Sequence, residues 1–150
     1  MKLAEALSRR SSLQKDLSWI KDQFNKISRV PEGGSPSEDP IAMFARMEDR
    51  ANEYGCLLYS INSVNLKATD SQGRSMTELL ALRDTLRAKQ GILAFAYDKA
   101  TEKDDVYGRQ ELRYVPTMDV VALRKKLENI GGELRELNLL IQRLNWEVEI

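Results

Sequence analysis

One spacing constrains this chain more than any other feature. Leu3, Ala6, Arg10, Leu13, Leu17, Ile20, Phe24 and Ile27 follow one another in alternating steps of three and four, and only Arg10 among them is polar. Such steps return to one side of an α-helix and form a heptad stripe, which predicts a helix over residues 2–30. The rhythm recurs at Ile41, Phe44, Met47, Ala51, Tyr54, Leu58, Ile61 and Asn65, predicting a helix over 40–65. It returns less tidily at Leu79, Leu82, Leu86, Lys89, Leu93, Ala96 and Ala100, for 76–100. It is cleanest at Val120, Leu123, Leu127, Ile130, Leu134, Leu137, Ile141 and Leu144, for 117–145. Stripes this narrow bury seams rather than broad faces, and a chain built from four of them is mainly α.

The breaks between stripes carry the expected stop and start signals. Val30-Pro31-Glu32-Gly33-Gly34-Ser35-Pro36 cannot continue a helix. Asp39 before Pro40 reads as an N-cap with proline at the first helical position. Ser75-Met76-Thr77-Glu78 fits a capping box, and Thr117 or Asp119 can cap the fourth helix. Gly131-Gly132 interrupts that helix, lowering its propensity while allowing a neighbouring backbone to come close. Segments 66–70 and 110–115 read as short strands, and the tail 145–150 alternates, with Trp146, Val148 and Ile150 on one side. The predicted fold is one domain over 1–150, four long helices in an antiparallel coiled-coil-like bundle with a small β-sheet at one end.

Composition then closes functional doors. The 150 residues include no histidine and one cysteine, Cys56, which removes the commonest general base, the commonest metal ligand and any intramolecular disulfide. A di-iron helical bundle needs Glu-x-x-His pairs and is excluded. Asp104-Asp105 reads as a solvated loop rather than a cation site. No Gly-x-x-x-x-Gly-Lys-Ser/Thr phosphate loop occurs, and Gly33-Gly34 has no lysine after it. The expectation is a protein that is not an enzyme, with no catalytic residues, no cofactor and no metal.

Lysine plus arginine balance aspartate plus glutamate at 23 each, with local asymmetry. Residues 1–30 hold seven basic and three acidic side chains, and 31–55 hold two and six, a pattern that suits two helices lying side by side. A nucleic-acid partner is not expected from so even a balance. No signal-peptide or membrane-spanning run is present, so the expected location is cytoplasmic. Trp19 sits among Lys15, Asp16, Lys21 and Asp22, which favours burial or a subunit contact over insertion into a bilayer. Asn62, Asn65, Arg83, Asp84 and Asn145 form a candidate polar cluster, either fixing register and caps or lining a small pocket at the sheet end.

Several short stretches resemble the septicolysin-like family of bacterial proteins. They are Met1-Lys2-Leu3-Ala4-Glu5-Ala6-Leu7, Glu38-Asp39-Pro40, Ile61-Asn62-Ser63-Val64-Asn65, Gly73-Arg74-Ser75-Met76-Thr77 and Arg83-Asp84, with Tyr114-Val115-Pro116-Thr117-Met118-Asp119-Val120 and Leu144-Asn145-Trp146 further on. The resemblance implies an uncharacterised α-helical fold, and through the family's name a membrane-active cytolysin. From the residues themselves the leading expectation is a cytoplasmic protein that self-associates into a homo-oligomer. The candidate seam is Leu13, Leu17, Ile20 and Phe24 on the first helix with Leu127, Ile130, Leu134, Leu137 and Ile141 on the fourth. The cytolysin is the alternative, with a membrane as its partner. A small-ligand or nucleic-acid binding module comes third.

Overall fold

A computed structural model describes residues 1–103 and 113–150. Four helices follow in order: α1 (Leu3–Ile27), α2 (Pro40–Lys67), α3 (Met76–Ala100) and α4 (Val120–Glu147). Their starts have the chemistry the sequence announces. Asp39 Oδ1 accepts from the Ile41 amide at 3.0 Å with Pro40 at the first position of α2, and Asp119 Oδ1 accepts from the Ala122 amide at 3.0 Å. The Lys2 amide donates to Glu5 Oε2 at 2.8 Å, closing the first turn of α1. Asp119, not Thr117, therefore caps α4.

Where the sequence reads as one domain, the contacts group into two compact units. The first holds Met1–Ser75 with Arg143–Ile150. Its frame is an antiparallel hairpin of α1 and α2, joined by the exposed loop 28–39. Every predicted stripe position on α1 is buried or half-buried, with Leu3, Leu13 and Ile20 almost wholly so. Each such side chain contributes about 1.5–3 kcal/mol by leaving water. Toward the loop, Ile20 and Ile27 pack with Met43 of α2, and Phe24 and Met47 fill in beside them. The second unit is Met76–Gln142, with Met76, Leu79 and Leu86 buried on α3 and Leu123, Leu134, Leu137 and Ile141 buried on α4.

The stripe on α2 requires correction. Its buried or half-buried side runs Met43, Met47, Arg50, Tyr54, Leu57, Ile61, Val64 and Ala68, whereas the predicted Ile41, Phe44 and Ala51 are exposed. Apolar residues lie on both sides of this helix, and spacing alone cannot say which side is turned inward. On α3, Leu82 and Lys89 likewise leave the seam, and Arg83 and Gln90 stand in it half-buried.

The small β-sheet is absent among the described residues, where two isolated bridges stand instead, Lys2 with Glu149 and Thr69 with Ser75. Helix α2 runs on through Lys67 and α4 through Glu147, so helix takes five of the eleven residues predicted as strand in 66–70 and 145–150. The tail does pair, but with the first residues of the chain. The Leu3 amide donates to the Val148 carbonyl at 3.0 Å, and the Ile150 amide to the Met1 carbonyl at 2.9 Å. Of the predicted strand 110–115, residues 110–112 lie outside the described residues, and 113–115 have no regular structure. Nor do Gly131 and Gly132 admit a backbone: a Cβ on Gly131 would meet Arg135 Nη1 at 3.5 Å and Gln90 Nε2 at 3.8 Å.

Candidate functional site

The hairpin carries the densest polar chemistry of the first unit. Arg9 Nε donates to Glu53 Oε1 at 2.7 Å, and Arg50 Nη1 donates to Glu53 Oε2 at 3.1 Å. Arg50 also lies 3.9 Å from Asp16, and Gln14 Nε2 donates to the Tyr54 hydroxyl at 2.9 Å. The Arg9 hydrogen bond holds the Glu53 carboxyl below its ordinary value, against a smaller opposing effect of desolvation. Arg9 and Glu53 join α1 to α2 in the basic-to-acidic sense of the charge asymmetry, and Arg50 and Asp16 join them in the opposite sense. Both pairs cross-brace the two helices, while the buried Nε of Arg10 on α1 has no hydrogen-bond partner among the described residues.

A second polar construction fixes the exit from α2. Asp70 has a 1% exposed side chain, and its carboxylate is fully used. Oδ1 accepts from the amides of Gln72 and Arg74, each at 2.9 Å, and Oδ2 accepts from Arg74 Nε at 2.9 Å and Nη2 at 2.7 Å. Gly73 takes φ +79°, a left-handed conformation that a side chain disfavours, and this lets the turn close. Burial pushes the Asp70 carboxyl up, but the hydrogen bonds from the Arg74 side chain and the two amides outweigh it and hold the group below its ordinary 3.8. A carboxyl depressed in the folded state contributes stability above its unfolded value and loses it as pH falls through the folded one. The melting temperature is therefore expected to hold between about pH 7 and 5 and to fall below about pH 4. Asp70→Asn should lower it at neutral pH and shrink the acid-side decline. Thermal melts of both proteins across pH 2.5–7 check this, and superimposable curves would reject it.

The predicted polar cluster distributes over both units. Asn62 is exposed while Asn65 and Asn145 are half-buried, all in the first unit; Arg83 and Asp84 lie in the second, where Arg83 Nε donates to Asp84 Oδ1 at 3.3 Å. The nine candidate seam residues are turned inward within a single chain. Leu13, Ile20, Leu134, Leu137 and Ile141 are buried, and Leu17, Phe24, Leu127 and Ile130 are half-buried.

Other chemistry is thin. Ser12–Lys15 and Ser18–Lys21 have the Ser-x-x-Lys spacing of a nucleophile and base, yet all four are exposed, and the Ser12 hydroxyl donates to the Ser8 carbonyl at 3.3 Å. Among the described residues, no group of three or more acids or cysteines could hold a metal. Asp104-Asp105 lies outside them. In the second unit a cleft of about 370 Å³ is walled by Ala96, Lys99, Thr101, Tyr114, Pro116 and Met118. Of its polar groups, Lys99 pairs with Glu102 at 3.0 Å and the Thr101 hydroxyl donates to the Tyr97 carbonyl at 2.8 Å. No helix of the described residues is long and apolar enough to cross a membrane.

What the sequence reading missed is on the outside. Ile41, Phe44, Tyr59 and Leu66 of α2 are exposed, as are Ile92 and Phe95 of α3 and Val121 and Leu139 of α4. Trp19 is 40% exposed beneath the Arg46 guanidinium, whose carbon lies 4.8 Å from the ring centroid, a cation–π contact on the rim of the hairpin.

Comparisons with known proteins bring likeness without chemistry. The chain is similar to the Probable GTP-binding protein EngB of Streptococcus pneumoniae, strains Hungary19A-6 and ATCC 700669 / Spain 23F-1. Each is 24% identical over 144 residues, covering 95% of this chain and 72% of that protein. It is also similar to the crystal structure of a functionally unknown conserved protein from Corynebacterium diphtheriae, with 34% identity and a TM-score of 0.94 over 100% of this chain and 98% of that one. Residues 10–150 match a whole family, and the chain belongs to it: the family of unknown function DUF6847.

Proposed function

We propose that this protein is a non-enzymatic interaction module that works by helix–helix association with further copies of itself. The observation that carries the reading is the set of bulky apolar side chains on faces turned away from each helix's own seam. Single exposed apolar residues are ordinary on a protein surface. Here they are large and far from buried: Ile41 is 78% exposed, Tyr59 76% and Val121 79%.

The seam for this association differs from the one the sequence suggests, since Leu13, Ile20, Leu134, Leu137 and Ile141 are already buried within one chain. Nucleotide binding, which the name of the EngB relatives would bring, lacks its phosphate-binding loop in this sequence. Light scattering over a hundredfold concentration range tests the proposal. A constant multiple of 17.1 kDa is expected, and a chain that stays at 17.1 kDa throughout would overturn it.

A further inference from the structure

Helix α2 has two heptad rows. The inner one begins Met43, Met47, Arg50, Tyr54 in steps of four and three and is buried or half-buried along its length. Two residues earlier a second row starts at Ile41 and runs with the same steps to Leu66, and all eight of its positions are exposed. Two residues turn a helix by about 200°, so the rows lie on nearly opposite sides. Within the outer row Glu48 is the only charged residue, in a chain that is 31% charged. A solvated helix face has no need of so little charge.

We infer that this outer row is a two-fold interface, with α2 of one copy packed antiparallel on α2 of a second. The proposal rests on the self-association reading and assigns it a face. The row matches its own reverse. In an antiparallel heptad pair, Ile41 faces Leu66 of the second copy, Ala45 faces Asn62, Glu48 faces Tyr59 and Asn52 faces Gly55. Large apolar residues then meet at both ends, and small ones meet at the centre, where helices must come closest. The one carboxylate meets a phenol hydroxyl that can donate to it. A parallel pair would instead set Glu48 against Glu48, so charge selects the antiparallel arrangement. Gly55 has no role inside the chain: a Cβ there would meet nothing within 4 Å. It lowers helix propensity by about 1 kcal/mol against alanine, and its missing side chain lets a second backbone approach. Asn52 beside it is the kind of polar residue that fixes register in a helical seam.

Thiol cross-linking tests direction and face together. In a Cys56→Ser background, which removes the only native thiol, Ile41→Cys and Leu66→Cys are made separately and treated with a short bis-maleimide. Both sites are exposed, so the fold is expected to tolerate them. Twenty-five residues of helix separate the two by about 38 Å. An antiparallel dimer links an equimolar mixture of the two variants and links neither variant to itself; self-linking of Ile41→Cys would overturn the antiparallel arrangement. Leu66→Arg is expected to weaken association at least tenfold with unchanged helicity. If the wild-type chain is dimeric and Leu66→Arg is equally so, the α2 face is rejected while self-association stands. A wild-type chain at 17.1 kDa rejects both.

Discussion

Leu13→Asp is expected to leave the first unit unfolded at 25 °C. Leu13 is 0% exposed and stands midway along α1, on the side turned toward the hairpin. Truncating such a leucine to alanine typically removes about 2–5 kcal/mol of transfer and cavity energy. The aspartate adds a carboxylate with no compensating partner, which either stays charged at a cost of several kcal/mol or takes up a proton. Set against the ~5–15 kcal/mol that holds an ordinary domain together, the sum exceeds what the hairpin can absorb. Ser11→Asp is the control, because an aspartate at an exposed position of the same helix, away from the outer face of α2, removes no interior contact. Far-UV circular dichroism and urea titration should show lost helicity for the first variant and a near wild-type transition for the second. A Leu13→Asp protein that unfolds cooperatively within about 1 kcal/mol of wild type would remove Leu13 from the core.

The largest gain in stability is expected from replacing Gly131 and Gly132 together by alanine. Both lie inside α4, where glycine is less favourable than alanine by about 0.8–1.0 kcal/mol per residue. Added Cβ atoms would stand 3.5 Å and 3.7 Å from the Arg135 guanidinium, ordinary contact with the movable end of a side chain. The two changes together should therefore raise stability by about 2 kcal/mol. Denaturant titration of the double variant checks this. A lowered midpoint would mean that the two glycines serve a contact outside the single chain.

How far the sequence carried depended on whether a helix has one apolar side or two. The α4 stripe from Val120 to Leu144 was legible because most apolar residues of that helix lie on one side, Val121 and Leu139 apart, and the structure buries or half-buries every stripe position. On α2 the predicted stripe takes Ile41 from the outer row and Met47, Tyr54 and Ile61 from the inner one, with Phe44 and Ala51 between them, since a period of 3.6 looks alike whichever side is turned inward. The tail illustrates another limit. Alternation over Trp146, Val148 and Ile150 did signal extended pairing, but helix α4 extends to Glu147 and leaves three residues to make it. Their partner, the first residues of the chain, is a long-range contact that no local pattern encodes. Of the polar bracing, the charge asymmetry between 1–30 and 31–55 agrees with Arg9 of α1 meeting Glu53 of α2, whereas Arg50 and Asp16 pair in the opposite sense. The outer row of α2 was invisible as a site because exposure is a property of packing, not of spacing.

The placement of the tryptophans has an optical consequence. Trp19, under its guanidinium, and Trp146, near the chain's end, are the only two indoles, and both fall within the first unit. Residues 76–142 contain tyrosines but no tryptophan. Emission excited at the red edge of the absorption band therefore reports on one unit and is blind to the other, while backbone dichroism sums over both. Superimposed melts from the two signals would mean one cooperative transition; separated melts would resolve the units without a label.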